Sequence, residues 1–255
     1  MVSWIVLGVL GVLLVAAGAL TARPVDAEIP DRDDYFARWR PLHGGIDPGG
    51  NVWLHGWLKL SYALARPLAT AGIRPDVLTL STVWITGLAL TITVQAPHTA
   101  WQVLAGWLIV LSGLGDALDG AVAVATGRAT RWGYVLDSLV DRINETGYVV
   151  AAVVAGAPPW LGAVAVVGFF LLEYVRARAG NAGGSEVGRI TVGERPVRVI
   201  CCSIAVGGGV LRSVDTLVAV VPVAVLAALT YAGLAQLIVA VHRELGQEKQ
   251  PGKSN

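Results

Sequence analysis

Four aspartates stand near the adjoining ends of two apolar segments of the chain. Asp116 and Asp119 lie three residues apart in the first segment. Asp137 and Asp141 lie four residues apart in the second, so on helices each pair shares one face. The midpoint of Asp119 and Asp137 is residue 128, and that of Asp116 and Asp141 is 128.5. Two antiparallel helices joined there bring all four carboxylates to matched depth. Ionisable groups within membrane spans are costly and usually functional. The spacing therefore predicts a four-carboxylate cluster.

Such a cluster is predicted to hold metal ions. Four negative charges packed together require compensation, which two divalent cations supply through the oxygen ligands that Mg²⁺ and Mn²⁺ prefer. Two ions can clamp phosphate oxygens during an in-line displacement. Gly120 and Gly133 lie beside the carboxylates and let a ligand or the facing helix approach. The alternative is a set of ion pairs with Arg128, Arg131 and Arg142, but the symmetric spacing favours metal.

The composition is that of an integral membrane protein. Of 255 residues, 55% are hydrophobic and 15% charged, and the mean hydropathy is +0.63, which excludes an ordinary soluble domain. The net charge of +1 gives no basic field for nucleic acid. Seven segments approach the roughly 20 apolar residues that a membrane-crossing helix needs. They are Trp4–Leu20, Val77–Gln95, Trp101–Ala125, Gly133–Ala155, Trp160–Arg178, Val197–Leu211 and Thr216–Val241.

The basic residues predict the orientation of these spans. With the loop at 22–76 in the cytoplasm, 18 of the 19 Lys and Arg residues fall on the cytoplasmic side, and only Arg212 falls on the other. That asymmetry is typical of positive-inside topology. The chain is therefore predicted to lie in the cell membrane as a multi-pass protein, with the carboxylates facing the cytoplasm.

The same residues carry a resemblance to the CDP-alcohol phosphotransferase family, whose signature is D-x2-D-G-x2-A-R-x8-G-x3-D-x3-D. The positions that match with the correct spacing are Asp116, Asp119, Gly120, Ala123, Gly133, Asp137 and Asp141. The resemblance covers about residues 52–245. It implies an all-α, six-helix membrane bundle with an interfacial amphipathic helix, to which this chain adds an N-terminal span.

The resulting division of the chain has five parts. They are an N-terminal transmembrane anchor at 1–21, a cytoplasmic linker at 22–50, an interfacial amphipathic helix at 51–74, a six-helix catalytic membrane domain at 75–245 and a cytoplasmic tail at 246–255. The mixed three- and four-residue spacing of Trp and Leu predicts the amphipathic helix, with a simple linker as the alternative.

The resemblance implies transfer of a phosphatidyl group from CDP-diacylglycerol to an alcohol, with release of CMP. It assigns Asp116, Asp119 and Asp137 to metal binding, and it makes Asp141 both a ligand of the second metal and the general base. Positions implied in binding the donor nucleotide are Asp76, Thr79, Gly120, Ala123, Thr130 and Gly133.

One motif position departs from the family. Val124 stands where the family has an Arg that helps to hold the donor diphosphate. Arg128 lies one helical turn further on, and the hypothesis is that it replaces the missing charge. A catalytically impaired paralogue that binds lipid or nucleotide is the alternative that Val124 raises, although all four aspartates are retained.

Three further segments resemble the actinobacterial phosphatidylinositol-phosphate synthases and predict the acceptor. They are Glu173–Ala179, Glu194–Arg198 and Val241–Arg243. The resemblance implies that Arg176, Arg198 and Arg243 grip the phosphate of inositol phosphate. All three lie at the cytoplasmic ends of different spans, and guanidinium groups suit a phosphate dianion. Ordinary positive-inside flanking is the alternative for these arginines. The alternative functions are those of a phosphatidylglycerophosphate synthase and of a metal transporter. The resemblance is also compatible with a homodimer.

Overall fold

The computed structural model describes residues 2–22, 29–42, 47, 49, 52–184, 191–211 and 217–246, and every regular element in them is helical. The α-helices of this part of the chain are α1 (Val2–Thr21), α2 (Arg32–Leu42), α3 (Val52–Thr70), α4 (Pro75–Gln95), α5 (Trp101–Thr126), α6 (Arg131–Ala155), α7 (Pro159–Asn181), α8 (Arg195–Gly208) and α9 (Leu217–Leu245). A short 3₁₀ turn, Gly209–Leu211, follows α8. The predicted all-α class is confirmed.

Four of these helices, α4, α5, α7 and α9, are long and apolar enough to cross a membrane. The other three predicted spans coincide with helices that are shorter or more polar. Helix α8 has 14 residues, α6 carries four charged side chains in its first half, and the described apolar part of α1 is Gly8–Thr21. The protein is an all-helical membrane protein whose polar helix segments are gathered at one end of the bundle.

Local chemistry sets the helix boundaries near that end. Helix α4 begins with Pro75 at its first position, where proline loses no intrahelical hydrogen bond. Helix α5 ends at Gly127, whose φ of 64° lies in the left-handed region that glycine readily adopts. Helix α6 is capped by Thr130, whose Oγ1 accepts from Gly133 N at 2.9 Å. The α5–α6 turn is therefore tight, as the spacing of the aspartates requires.

Helix α4 packs against both α5 and α6, while α5 and α6 touch each other little. Helix α8 packs against α5, α6 and α9, and α7 packs against α9. The helices approach closely where small residues meet: a Cβ added at Gly106 of α5 would lie 2.8 Å from the Ser203 carbonyl oxygen of α8. Such close approach is typical of helix packing in membranes. Nearer the aspartates, a Cβ added at Gly113 would lie 2.8 Å from Val199 Cγ2, so α8 also lies close to α5 there.

The predicted amphipathic helix corresponds to α3. Leu58, Ala65 and Ala69 of α3 are buried in an apolar cluster shared with α5, while Trp57 and Leu60 are 45% and 48% exposed. Helix α3 thus has one apolar face against the bundle and a second one outside it. That second face suits a membrane surface.

Helix α2 falls in the segment 22–50, for which the sequence analysis expects only a linker. Asp31 begins the helix, because its Oδ1 accepts from the amides of Asp33 and Asp34 at 2.9 Å each. Tyr35 and Trp39 are buried in the apolar cluster that α3 forms with α5. The linker therefore contributes a helix that covers one side of the bundle.

Candidate active site

Three of the four predicted carboxylates come together as a possible ligand set. One oxygen each of Asp116, Asp119 and Asp137 lies within 4.8 Å of the other two. Asp116 and Asp119 are 8% and 5% exposed, and Asp116 Oδ1 is buried with no hydrogen-bond donor among the described residues. A buried, unpaired carboxylate oxygen is costly. These hard oxygen donors fit a divalent cation, which would compensate them.

Helix α4 orients this cluster through a threonine. The Thr79 hydroxyl donates to Asp119 Oδ2 at 2.5 Å. Thr79 lies in the first turns of α4, which packs between the two aspartate-bearing helices. Hydrogen bonds of this kind fix the direction in which a ligand oxygen points. The resemblance implies that Thr79 binds the donor nucleotide. In the structure, Thr79 contacts Asp119, which is one of the predicted metal ligands.

Asp141 is contacted by two arginines, one of which it shares with Asp116. Its Oδ1 accepts from Arg195 Nη2, while Arg195 Nη1 donates to Asp116 Oδ2. Its Oδ2 lies 3.7 Å from Arg142 Nη2. Arg195, at the start of α8, thus bridges the two aspartates. From the sequence, Arg195 is expected only as one of the cytoplasmic basic residues. Its position three residues before Arg198 places both arginines on one helix face.

The predicted donor-binding positions lie around the same helix ends. A Cβ added at Gly133 would lie 4.0 Å from Asp76 Oδ1, so the first turns of α6 and α4 adjoin. An added Cβ at Gly120 would meet no heavy atom within 4 Å among the described residues. Ala123 lies one turn after Gly120, and Thr130 caps α6. Of these positions, Gly120 borders open space, directly after Asp119.

Position 124 is turned away from that space. Val124 is 7% exposed and belongs to the apolar cluster of α2, α3 and α5. An apolar side chain suits this environment better than an unpaired guanidinium. Arg128 donates from Nη1 to the Gly72 carbonyl at 3.5 Å, which places it beside the turn between α3 and α4. Its proposed replacement of the missing charge stays a prediction.

Arg176 and Arg198 come together, but both are engaged by carboxylates. Arg198 is 1% exposed and donates to Glu145 Oε1 at 2.7 Å. Arg176 donates to Glu194 Oε1 at 2.7 Å. Each also donates to Glu173 Oε1 at 3.2 Å. The resemblance implies that these arginines grip a phosphate, and it says nothing of the three glutamates. Glu145 could have been found from the sequence as a carboxylate one helical turn after Asp141.

Arg243 lies apart from this pair, on a neighbouring cavity of about 710 Å³. The cavity lies between α9 and the segment before α8, with Thr191, Val192 and Gln236 in its wall. Thr191 links the two places, because its hydroxyl donates to Glu194 Oε1 at 2.8 Å. The structure therefore places Arg243 on this cavity, and no contact among the described residues joins it to the paired arginines.

Glu194 is a fixed anion in this arrangement. Burial alone would raise its pKa. The hydrogen bonds from the Thr191 amide and hydroxyl, together with Arg176, outweigh burial and hold the pKa of Glu194 below its usual value. Glu194 therefore stays ionised and holds the segment before α8 against α7.

Beneath the carboxylates, a polar network joins α4, α5 and α6. Asn144 Nδ2 donates to Thr82 Oγ1 at 2.7 Å, and Thr86 Oγ1 donates to Asn144 Oδ1 at 2.8 Å. The Tyr148 hydroxyl donates to Ser112 Oγ at 2.8 Å. All five side chains are buried. Hydrogen bonds between membrane helices fix their mutual register, and this network thereby sets the positions of the aspartates one turn above.

The fold and the site together define a polytopic helical membrane protein with a carboxylate cluster at one end of the bundle. The model of the CDP-alcohol phosphatidyltransferase family matches residues 73–232. The chain belongs to this family, and it is accordingly a transferase. The membership that the motif predicts is confirmed.

Named relatives fall within one group of activities. The chain is 32% identical over 146 residues to the archaetidylinositol phosphate synthase of Pyrococcus horikoshii, covering 56% of this chain and 73% of that protein. It is 34% identical over 150 residues to the phosphatidylinositol phosphate synthase of Mycobacteroides abscessus, covering 56% and 66%. With the phosphatidylinositol phosphate synthase of Cutibacterium acnes it shares 29% over 197 residues, covering 74% and 92%.

A solved structure has the same fold. The phosphatidylinositol phosphate synthase of Mycobacterium tuberculosis, in complex with manganese and citrate, superimposes with a TM-score of 0.55 at 24% identity, covering 76% of this chain and 96% of that one. The same enzyme with CDP-DAG bound gives a TM-score of 0.54 at 22% identity. These likenesses support the six-helix bundle.

Proposed function

We propose that this protein transfers the phosphatidyl group of CDP-diacylglycerol to a hydroxyl of a phosphorylated polyol, with inositol phosphate as the acceptor, and releases CMP. The observation that carries the proposal is the set of three carboxylate oxygens within 4.8 Å of one another, beside a fourth aspartate. Family membership and the names of the relatives support the same reaction. The concentration of basic residues at this end of the bundle supports a cytoplasmic orientation.

Asp116, Asp119 and Asp137 would hold the divalent metal, with two Mg²⁺ or Mn²⁺ ions as the proposed complement. When bound, such ions neutralise the negative charge that gathers on the diphosphate as CMP leaves. Thr79 would keep Asp119 directed toward the ions. The open space beside Gly120 would admit the donor.

Asp141 would act on the acceptor. In the proposed step the acceptor oxygen bonds to the lipid-bearing phosphorus, the bond from that phosphorus to the bridging oxygen breaks, and CMP departs with that oxygen. The hydroxyl proton passes to Asp141, a carboxylate that Arg195 and Arg142 hold in place from two sides. Arg176, Arg198 and Arg243 would lie around the acceptor phosphate.

An acceptor panel with radiolabelled CDP-diacylglycerol tests this function. The purified protein, with Mg²⁺ or Mn²⁺, is given inositol phosphate, glycerol phosphate, serine, free inositol or no acceptor. We expect CMP release with inositol phosphate, its loss on Asp137→Asn, and no change on Asp33→Asn, which removes an acid that is 83% exposed on α2. A preference for glycerol phosphate would identify a phosphatidylglycerophosphate synthase instead. Metal binding without CMP release for any acceptor would identify a binding paralogue.

The role of Arg128 is tested separately through the donor. If Arg128 supplies the charge that Val124 lacks, Arg128→Ala raises the KM for CDP-diacylglycerol about tenfold or more, the effect of losing one charged hydrogen bond. The KM for the acceptor stays constant. Unchanged donor binding and turnover would contradict this role.

A further inference from the structure

The carboxylate of Glu173 lies where three guanidinium groups meet. Its Oε1 accepts from Arg176 Nη1 and Arg198 Nη2, each at 3.2 Å, and lies 3.7 Å from Arg142 Nη1. The arginines belong to α6, α7 and α8. Guanidinium groups that converge on one oxygen from three helices form an anion-binding site. In this structure the protein's own carboxylate occupies it.

Four carboxylates contact these arginines, and Glu173 and Glu194 are the most exposed of them, at 29% and 26%. Glu145 is 1% exposed and receives Arg198 Nη1 at 2.7 Å. Glu194 is tied to the backbone amide of Thr191. The Glu173 side chain is 29% exposed, and its hydrogen bonds and ion pairs with described residues all go to guanidinium groups. Partly solvated ion pairs are cheap to break, so Glu173 can turn outward into water.

We propose that Glu173 is an internal competitor, which occupies the anion site of Arg142, Arg176 and Arg198 until the phosphate of the acceptor displaces it, and which thereby selects phosphorylated acceptors. This inference rests on the proposed function. These arginines contact three glutamates and, through Arg142, Asp141, which Arg195 also compensates. Displacement of Glu173 therefore removes one negative charge, which the incoming anion replaces. Discrimination through an element that opposes the wrong ligand is a general route to specificity.

A phosphate dianion can replace the carboxylate, because it supplies more than the single negative charge that leaves and offers more oxygens to the guanidinium forks. A neutral alcohol brings no negative charge in place of Glu173 and would leave the arginines uncompensated. The site also lies close to the proposed base: Arg142, which faces Glu173, has its Nη2 atom 3.7 Å from Asp141 Oδ2. A phosphate held there brings the rest of the acceptor beside Asp141.

The test measures anion binding without turnover. Inorganic phosphate and inorganic sulfate are titrated calorimetrically into the full chain in detergent with EDTA present, so that metal-bound anion does not contribute. Glu173→Gln keeps the size of the side chain and removes its charge, and Glu173→Ser is a second variant in case the first does not fold. Asp33→Asn is the control for net charge. We expect the Kd for both anions to fall roughly tenfold in the Glu173 variants and to stay unchanged in the control.

An unchanged or higher Kd in a folded Glu173 variant would overturn the proposal, as would the absence of anion binding in every form of the protein. A fall of equal size in Asp33→Asn would reduce the effect to net charge and overturn it too. The acceptor panel separates these results from the proposed function. If the wild type turns over inositol phosphate and the Glu173 variants bind anions no more tightly, the proposed function stands and the competitor role of Glu173 is rejected. If the wild type prefers unphosphorylated inositol, the phosphorylated acceptor itself is rejected.

Discussion

Replacement of Arg198 by alanine tests whether this arginine is primarily a structural cation. Arg198 is 1% exposed, and its guanidinium donates to Glu145 and to the Gly193 carbonyl at 2.7 and 3.1 Å. Its Cζ lies 4.9 Å from the centre of the Phe169 ring. Arg198→Ala therefore removes these three contacts and the hydrogen bond to Glu173, and it leaves Glu145, which is also 1% exposed, with reduced compensation.

The expected cost follows from that geometry. Loss of one partner of a buried ion pair typically costs about 3–5 kcal/mol, because the remaining charge is stranded. Arg142 Nη1 lies 3.1 Å from Glu145 Oε2 and continues to compensate it in part. The free energy of unfolding should therefore fall by about 3 kcal/mol, at the lower end of this range. The double variant Arg198→Met, Glu145→Gln removes both charges and should recover most of that loss.

The measurement is equilibrium unfolding of the detergent-solubilised protein by SDS, followed by the fluorescence of its nine tryptophans. Arg243→Ala is the matched control, because Arg243 is an exposed arginine at the same end of the bundle. It should change the free energy of unfolding by less than about 0.5 kcal/mol. If Arg198→Ala were as stable as this control, the buried ion pair with Glu145 would contribute nothing measurable to stability and the reasoning from burial would fail.

Three further predictions concern the supports of the site. Thr79→Val removes the hydrogen bond to Asp119 and should weaken Mn²⁺ binding, measured calorimetrically, by roughly 10–100-fold; unchanged affinity would contradict this. Asn144→Ala removes two buried hydrogen bonds between helices and should cost about 1–2 kcal/mol in SDS unfolding, whereas a loss below 0.3 kcal/mol would speak against the network. Arg195→Ala leaves the aspartates uncompensated, so Mn²⁺ should raise its thermal midpoint more than that of the wild type; equal shifts would refute the bridging role.

Hydropathy predicted the positions of the helices well and their ends less well. It locates the first apolar residue, whereas a helix begins where its backbone is first capped. Helix α4 begins at Pro75 rather than Val77, and α8 begins at Arg195 rather than Val197. These earlier starts matter, because Arg195 lies in the two residues that the apolar segment leaves out. Helix α2 was not predicted, because it lies in no apolar run of the sequence. It is buried through contacts of Tyr35 and Trp39 with the apolar cluster of α3 and α5.

The carboxylate cluster was predictable because its spacing is local. The turn centred near residue 128 relates the two aspartate pairs through one short connection, and the structure brings together Asp116, Asp119 and Asp137. The ion pairs around the acceptor arginines were not predictable in this way. Arg198 and Glu145 are separated by 53 residues, and Arg195 and Asp116 by 79. Only the packing of α8 against α5 and α6 brings such pairs together.

The position of Asp141 gives the site its organisation. On one side, Arg195 joins Asp141 to Asp116 and hence to the carboxylates suited to a cation. On the other side, Arg142 lies between Asp141 and Glu173, within the guanidinium groups suited to an anion. A transfer from a diphosphate to a phosphorylated alcohol needs a group that accepts the hydroxyl proton. This group must lie between a cation-binding site for the diphosphate and an anion-binding site for the phosphorylated alcohol. Because Arg195 contacts one oxygen of Asp141 and Arg142 lies near the other, Asp141 is the carboxylate that stands between these two groups of side chains.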